Sequence, residues 1–223
     1  MARTASILLF ALLVTACSGR ERQDVVRRAN DAFKSEPARQ CLKSLKANDV
    51  QYTPLPNQYT PLPNQNFGGR CQTIDTVKLM QFSIEASNLG AMTCPLAASF
   101  TAWAKHAVRP AARQYLGTDV VRIETFGTYN CRNVNGARSG KLSEHAYGNA
   151  VDVAAFVLKD GRRISVLNGW SGKADERAFL RRLHESACKR FGTVLGPNYN
   201  SAHANHFHFD MGKTMKDGST YCR

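Results

Sequence analysis

Several things are missing from this chain, and each absence excludes something. None of its seven cysteines stands in a C-x-x-C pair, so neither a thiolate zinc knuckle nor a thioredoxin-like redox motif is present. No apolar run reaches the roughly 18 residues that a membrane-spanning helix needs. There is no helix-turn-helix signature, no RNP pattern and no zinc-finger spacing, which argues against nucleic acid as the partner. Acidic residues are scarce: 17 Asp and Glu stand against 30 Lys and Arg, a formal net charge of +13. That balance favours an anionic partner without naming one. Histidine is scarce as well. The chain has six, and four of them crowd into two short segments.

What is present fits one globular domain with an N-terminal extension, since 223 residues with 43% hydrophobic and 21% charged content are ordinary for such a fold. Met1-Ala-Arg3 is a short basic start, and the apolar run from Ala5 to Ala16 suits the h-region of a secretory signal. It ends in Val14-Thr15-Ala16-Cys17, which resembles a bacterial lipobox and makes Cys17 the expected lipidated residue. Ser18, rather than an aspartate, follows it. The expected address is therefore the outer membrane, facing the periplasm of a Gram-negative bacterium. The expected division is a lipoprotein signal over 1–17, a polar tether over 18–37, and a domain over 38–223.

Export agrees with the cysteine count. Setting Cys17 aside leaves Cys41, Cys71, Cys94, Cys131, Cys188 and Cys222, enough for up to three disulfides with fifteen possible connectivities. Cys131 with Cys188 is the preferred pair, because it would tie a loop to a helix.

Along the domain, Pro37 to Ala47 can form a short helix. Gln51-Tyr-Thr-Pro-Leu-Pro-Asn57 is then repeated without change as residues 58–64, and a Pro-rich loop insertion over 51–65 is expected. Pro95 to Leu116 has a helical apolar stripe, with Pro110 expected to kink or split it. Asp119 to Phe126 is an expected strand. Ala150–Leu158 and Arg163–Leu167 form an expected hairpin around Asp160-Gly161, with Asp152, Ala154, Phe156 and Leu158 on one face. Asp175 to Phe191 is an amphipathic helix, and a strand through the last histidines follows. This order describes an α+β domain: a central antiparallel sheet with flanking helices. His106 and His184 lie on the helices and are read as surface or packing residues.

The chemistry gathers in Ser143-Glu-His145-Ala-Tyr-Gly148-Asn-Ala150-Val-Asp152 and in His203-Ala-Asn-His206-Phe-His208-Phe-Asp210. On a strand, His206 and His208 share one face. His145, Asp152 and one of these histidines would form a two-imidazole, one-carboxylate set. Such a set leaves a tetrahedral zinc ion one open position, the pattern of a catalytic site.

The first segment matches every fixed position of S-x-H-x-x-G-x-A-x-D. With the downstream H-x-H it resembles the zinc D-alanyl-D-alanine peptidases and murein endopeptidases, the group that includes lysostaphin-type enzymes. That resemblance implies a hedgehog/D-Ala-D-Ala peptidase-like fold, one zinc ion held by His145, Asp152 and His208, and action on peptidoglycan stem peptides. A narrower resemblance, to the bacterial extensin-like C-terminal domain, covers about Cys41 to Arg223. It rests on Cys131-Arg132, Leu142 to Ala146, Gly148 to Ala150, Leu195-Gly196-Pro197 and His203 through Asp210. His203-x-x-His206-x-His208 is similar to the spacing in penicillin-insensitive murein endopeptidases. It implies His203 as a further histidine at the site. His206, beside His208, is the expected acid/base or oxyanion stabiliser, Arg132 is suited to hold a substrate carboxylate bidentately, and Ser143 to hydrogen-bond to the metal site or to substrate. The chain departs from several relatives at Asn205, where they carry an acid. The alternative expectation is a metal-binding, wall-binding lipoprotein that cuts nothing.

Overall fold

The computed structural model describes Phe33 and residues 36–61, 70–212, 217 and 219–223. The signal segment with Cys17, and the tether apart from Phe33, Glu36 and Pro37, lie outside the described residues. Phe33 itself is 1% exposed and belongs to the main core, so the packed unit reaches back into the stretch taken as tether.

The fold is built on β8 (Ala150–Leu158), which is buried at every position except Val157. β7 (Val120–Gly127) and β11 (Phe207–Asp210) flank it, both antiparallel. β9 (Arg163–Ser165) also pairs with β8. β10 (Thr193–Leu195), β12 (Tyr221–Cys222) and β5 (Glu85–Ser87) complete a seven-stranded sheet ordered β12-β10-β11-β8-β7-β5. Only β10–β12 and β5–β7 are parallel among these pairs. The architecture is α+β with an antiparallel centre, as expected.

One face of the sheet carries the helices. α2 (Cys94–Trp103) runs on through π-helical turns at Ala104–Val108 and Ala112–Leu116, with Arg109–Ala111 between them. Pro110 therefore does not split the helix; longer-range hydrogen bonding on either side accommodates its missing N–H. α3 (Val166–Gly169) leads to α4 (Ala174–Ala187), whose Phe179, Leu180 and Leu183 are buried. Trp103 sits at the centre of this layer, 5.1 Å from the Phe209 ring and 6.1 Å from Phe156. Its indole N–H reaches the Leu183 carbonyl and the Ser186 hydroxyl, so the buried donor is satisfied. Phe207 and Phe209 face this core, and period-two alternation turns His208 and Asp210 to the other face.

The expected face assignment on β8 needs correction. Val151, Val153, Phe156 and Leu158 all join the core, although they do not share one parity. The pairing explains this: Thr125 faces Val153 while the adjacent Glu124 faces Ala155, so Ala154 is an extra, bulged residue. A bulge shifts the alternation by one. Asp152 therefore looks away from the helices while Phe156 and Leu158 look toward them.

The N-terminal part of the domain covers the remaining edges. α1 (Glu36–Ala47) packs Leu45 into the core. Within the described residues, each tandem copy contributes a strand where a loop was expected. The Gln-Tyr-Thr-Pro of the first makes β1 (Gln51–Pro54), and that of the second makes β2 (Gln58–Pro61). β1 is an edge of a three-stranded sheet with β4 (Thr76–Gln81) and β6 (Met92–Thr93), and among the described residues β2 pairs only with β3 (Arg70–Thr73). An edge strand tolerates proline because one side of its backbone needs no partner.

The disulfides are Cys41–Cys94, Cys71–Cys131 and Cys188–Cys222. Cys131 does not meet Cys188, because α4 and the loop bearing Cys131 lie on opposite faces of the sheet. Instead Cys131 joins β3 to the loop after β7. There Cys71 and Ala146 are fully buried together, with Tyr129, Cys131 and Leu142 packed on them. Non-reducing peptide mapping should return these three pairs. Replacing Cys71 and Cys131 by serine should lower the unfolding free energy by about 3–4 kcal/mol, read from urea denaturation, since the bond closes a long loop.

Candidate metal centre

The first ligand is placed by a tight turn. Ser143 caps a short 3₁₀ helix (Glu144–Tyr147), its hydroxyl accepting from the His145 N–H at 3.3 Å. Gly148 ends it with φ 63°, and a Cβ there would come within 3.0 Å of the Ala91 carbonyl oxygen. Only glycine suits both demands. Asn149 then donates to the Glu144 carboxylate at 2.7 Å and accepts from the Thr93 hydroxyl at 2.7 Å. This fixes the step from the turn into β8, where Asp152 stands directly opposite His208 on β11.

His145, Asp152 and His208 offer ligand atoms that lie within 4.8 Å of one another, and all three residues are buried. His145 Nε2 is 3.2 Å from His208 Nδ1 and 3.2 Å from Asp152 Oδ2, and His208 Nδ1 is 2.9 Å from Asp152 Oδ1. Ligands at zinc bond lengths on a tetrahedral ion stand about 3.3 Å apart. The donor types and their spacing thus fit such an ion. A second grouping, His184, Cys188 and Cys222, offers no thiolates, because its two sulfurs are joined.

Neighbouring groups decide which ring nitrogen faces the centre. The Thr128 carbonyl can only accept, so at 2.7 Å it takes the proton on His145 Nδ1 and leaves Nε2 with its lone pair turned inward. Asp210 does the same for His208 from the other side, accepting from Nε2 at 2.9 Å and freeing Nδ1. Carboxylate–histidine–metal arrangements of this kind raise the basicity of a ligand. Asp210 was not singled out as a functional residue from sequence, although period two along β11 puts it on the face of His208. Thr128 carried no such signal, since it acts through its backbone.

The centre lies in a cleft of ≈ 430 Å³ that Arg132, Lys141, Ser143, His203 and His206 also line. His206 is not within the ligand set. Its Nε2 stands 3.5 Å from Asp152 Oδ1, and its Nδ1 donates to the Asn205 side-chain oxygen at 2.8 Å. His203 is buried and donates from Nδ1 to Asn200 at 2.7 Å. Arg132 is half-buried, and its charge opposes protonation of both these histidines. Ser143 supports the turn beneath His145. Phe126, an extra residue of β7 between Thr125 and Gly127, is 55% exposed and sets its ring against His206. His106 is exposed, and His184 packs between Trp170 and Phe207. Both lie outside the centre, as expected.

A family model described as extensin-like protein C-terminus matches residues 39–223. The chain belongs to that family. No curated protein and no solved structure matches it significantly. The match thus begins inside α1 and spans every described element after it, with both histidine segments.

Electrostatics tie these groups together. Burial alone would raise the Asp152 carboxyl, but hydrogen bonds and attraction from His145 and His208 outweigh it and hold it well below the usual carboxylate range. Burial pulls His208 down, yet its bonds to Asp152 and Asp210 prevail and lift it to about 9. Burial, aided by repulsion from His206 and His208, pushes His203 down to about 4. Burial likewise lowers His206, against the pull of Asp152.

Three outcomes follow. In the metal-free protein a raised histidine stabilises the fold fully below its ordinary value of 6.5, and that contribution is lost as pH rises through about 9. Zinc must displace the His208 proton, so its affinity should rise about tenfold per pH unit between neutrality and that point, measured by competition with a chelating dye. Asp210→Asn should weaken zinc binding by roughly 10–100-fold while leaving all three ligands in place.

Proposed function

We propose that the extensin-like domain is a metal-dependent peptidase that acts on peptidoglycan peptides in the periplasm, held at the outer membrane by a lipid on Cys17. The observation that carries the reading is the convergence of His145, Asp152 and His208, with their lone pairs aimed at one point, where Asp152 and His208 line a cleft that holds two further histidines. A bound zinc ion supplies Lewis acidity toward a scissile carbonyl and a reactive water.

The rest of the chemistry belongs to the chain. His206 is kept neutral near pH 7 by burial, and its bond to Asn205 leaves Nε2 as the free, basic nitrogen facing the centre. On this reading it accepts the proton of the attacking water and returns it to the leaving amine. Arg132 and Lys141 line the same cleft and are suited to hold a substrate carboxylate, the guanidinium through two parallel hydrogen bonds. His203, neutral and fixed by Asn200, can orient the peptide by hydrogen bonding. The net charge of +13 suits an anionic sacculus.

Purified protein incubated with muropeptides, with and without added zinc, tests this by mass spectrometry. Zinc-dependent cleavage is expected. His206→Ala should keep stoichiometric zinc and lose roughly 10²–10⁴ of the rate, whereas His208→Ala should lose the metal. Intact muropeptides despite a full complement of zinc would overturn the peptidase and leave a wall-binding lipoprotein.

A further inference from the structure

The outer side of the helical layer holds a second concavity, ≈ 430 Å³, between the Cys94–Leu116 helical run and α4. His106 and Gln114 enter it from the first helix, and Arg182, Ser186, Lys189 and Arg190 from α4 and the turn after it. Among the described residues, no carboxylate lines it. Glu185, beside it on α4, is shared between Arg182 at 3.3 Å and Lys189 at 3.6 Å. One negative charge thus answers two positive ones. Among the described residues, the Arg190 guanidinium forms no ion pair.

Helix electrostatics explain part of this arrangement. Lys189 and Arg190 follow the C-terminal end of α4, where cations complement the dipole. Arg182 stands mid-helix and His106 comes from the other helix, so the dipole draws neither of them there. The floor is apolar, formed by Ala107, Pro110 and Ala111. A low-dielectric wall beneath several like charges focuses their field into the concavity. Its volume falls within the range of small-ligand sites. It shares no residue with the metal cleft, and the sheet lies between the two.

We infer that this groove is a binding site for a phosphoryl group, with Arg182, Lys189 and Arg190 as the charged contacts and Gln114 as a neutral donor. Several separate cations around one concavity suit the multiple oxygens of a phosphate better than a single carboxylate, and guanidinium forks match that geometry. The phosphate can belong to a soluble compound or to a phospholipid headgroup. In the second case the metal cleft faces away from the bilayer.

The test uses the full chain, the neutralising variant Arg182→Gln/Lys189→Gln/Arg190→Gln, and the control Lys43→Gln/Lys46→Gln/Lys78→Gln. The control removes the same charge from exposed positions elsewhere. Far-ultraviolet circular dichroism and a cooperative thermal transition confirm that each protein is folded. Inorganic pyrophosphate is titrated by calorimetry at low and at moderate salt. Co-sedimentation compares phosphatidylglycerol with phosphatidylcholine vesicles, and any contribution of the N-terminal segment is common to all three proteins. Pyrophosphate should bind wild type, bind the groove variant about tenfold more weakly or worse, and bind the control within about twofold. A phosphatidylglycerol preference lost only in the groove variant assigns the phosphate to lipid. Equal sedimentation of all three, with pyrophosphate binding still groove-dependent, assigns it to a soluble compound. The inference falls if wild type ignores both probes or if the control loses as much as the groove variant. Neither result touches the muropeptide assay.

Discussion

A carboxylate almost withdrawn from water must be answered on every side, and Asp152 sets that demand for this fold. An ionised group so placed costs several kcal/mol unless it is paired and hydrogen-bonded. Here His145 and His208 close on it from either side, and the charge on His208 is in turn answered by Asp210. The result is a chain of alternating partners in which each member fixes the next. A divalent cation is a natural replacement for the proton held between His208 and Asp152, because it meets the same lone pairs and satisfies three donors at once. The same geometry answers the buried charge without a metal and offers three ligand atoms to one.

Meeting that demand constrains backbone far from the carboxylate. The antiparallel register that pairs His208 with Asp152 puts their side chains on one face at close range. The bulge at Ala154 lets β8 present a carboxylate on that face and still send Phe156 and Leu158 into the core. His145 comes from a separate turn and depends on its support: the Ser143 cap, the left-handed Gly148, and the loop at Thr128 pinned by Cys71–Cys131. Backbone bonds from Asn130 N–H to the His145 carbonyl and from Ser143 N–H to the Arg132 carbonyl lay that loop along the turn. Trp103 and its aromatic neighbours keep the far face of the sheet rigid, so that errors in strand position are not passed on to the ligands.

What could be read in the residues beforehand was what depends on local periodicity. The hairpin around Asp160-Gly161, the apolar stripe of α4, the strand before the Gly-rich loop and the shared face of the H-x-H pair all follow from short-range alternation. What escaped was set by partners distant in sequence. Ala154 looks like any strand residue, and only its neighbour β7 reveals it as an insertion that changes the facing of Asp152 relative to Phe156. The cysteine partners depended on which face of the sheet each loop crosses, information that spacing does not hold. Two proline-rich heptads gave no strand signal, because an edge strand is defined by the partner it lacks. Phe126 owes its exposure to the same kind of irregularity, an extra residue that turns a large ring outward onto His206.

Asn205 shows how a departure from a motif can be absorbed by its neighbour. An amide cannot take a proton from water, so a site that relied on an acid at that position would stall. The Asn205 oxygen instead accepts the Nδ1 proton of His206, which forces the basic nitrogen of that imidazole to the opposite edge, toward Asp152. An ionised acid at 205 would also accept that proton, but its charge would favour the imidazolium and hold His206 protonated to higher pH. The neutral amide supplies the orientation without the charge, and burial then keeps the ring a base near neutrality. Under the proposed peptidase reading, the base is His206, and Asn205 serves to orient it.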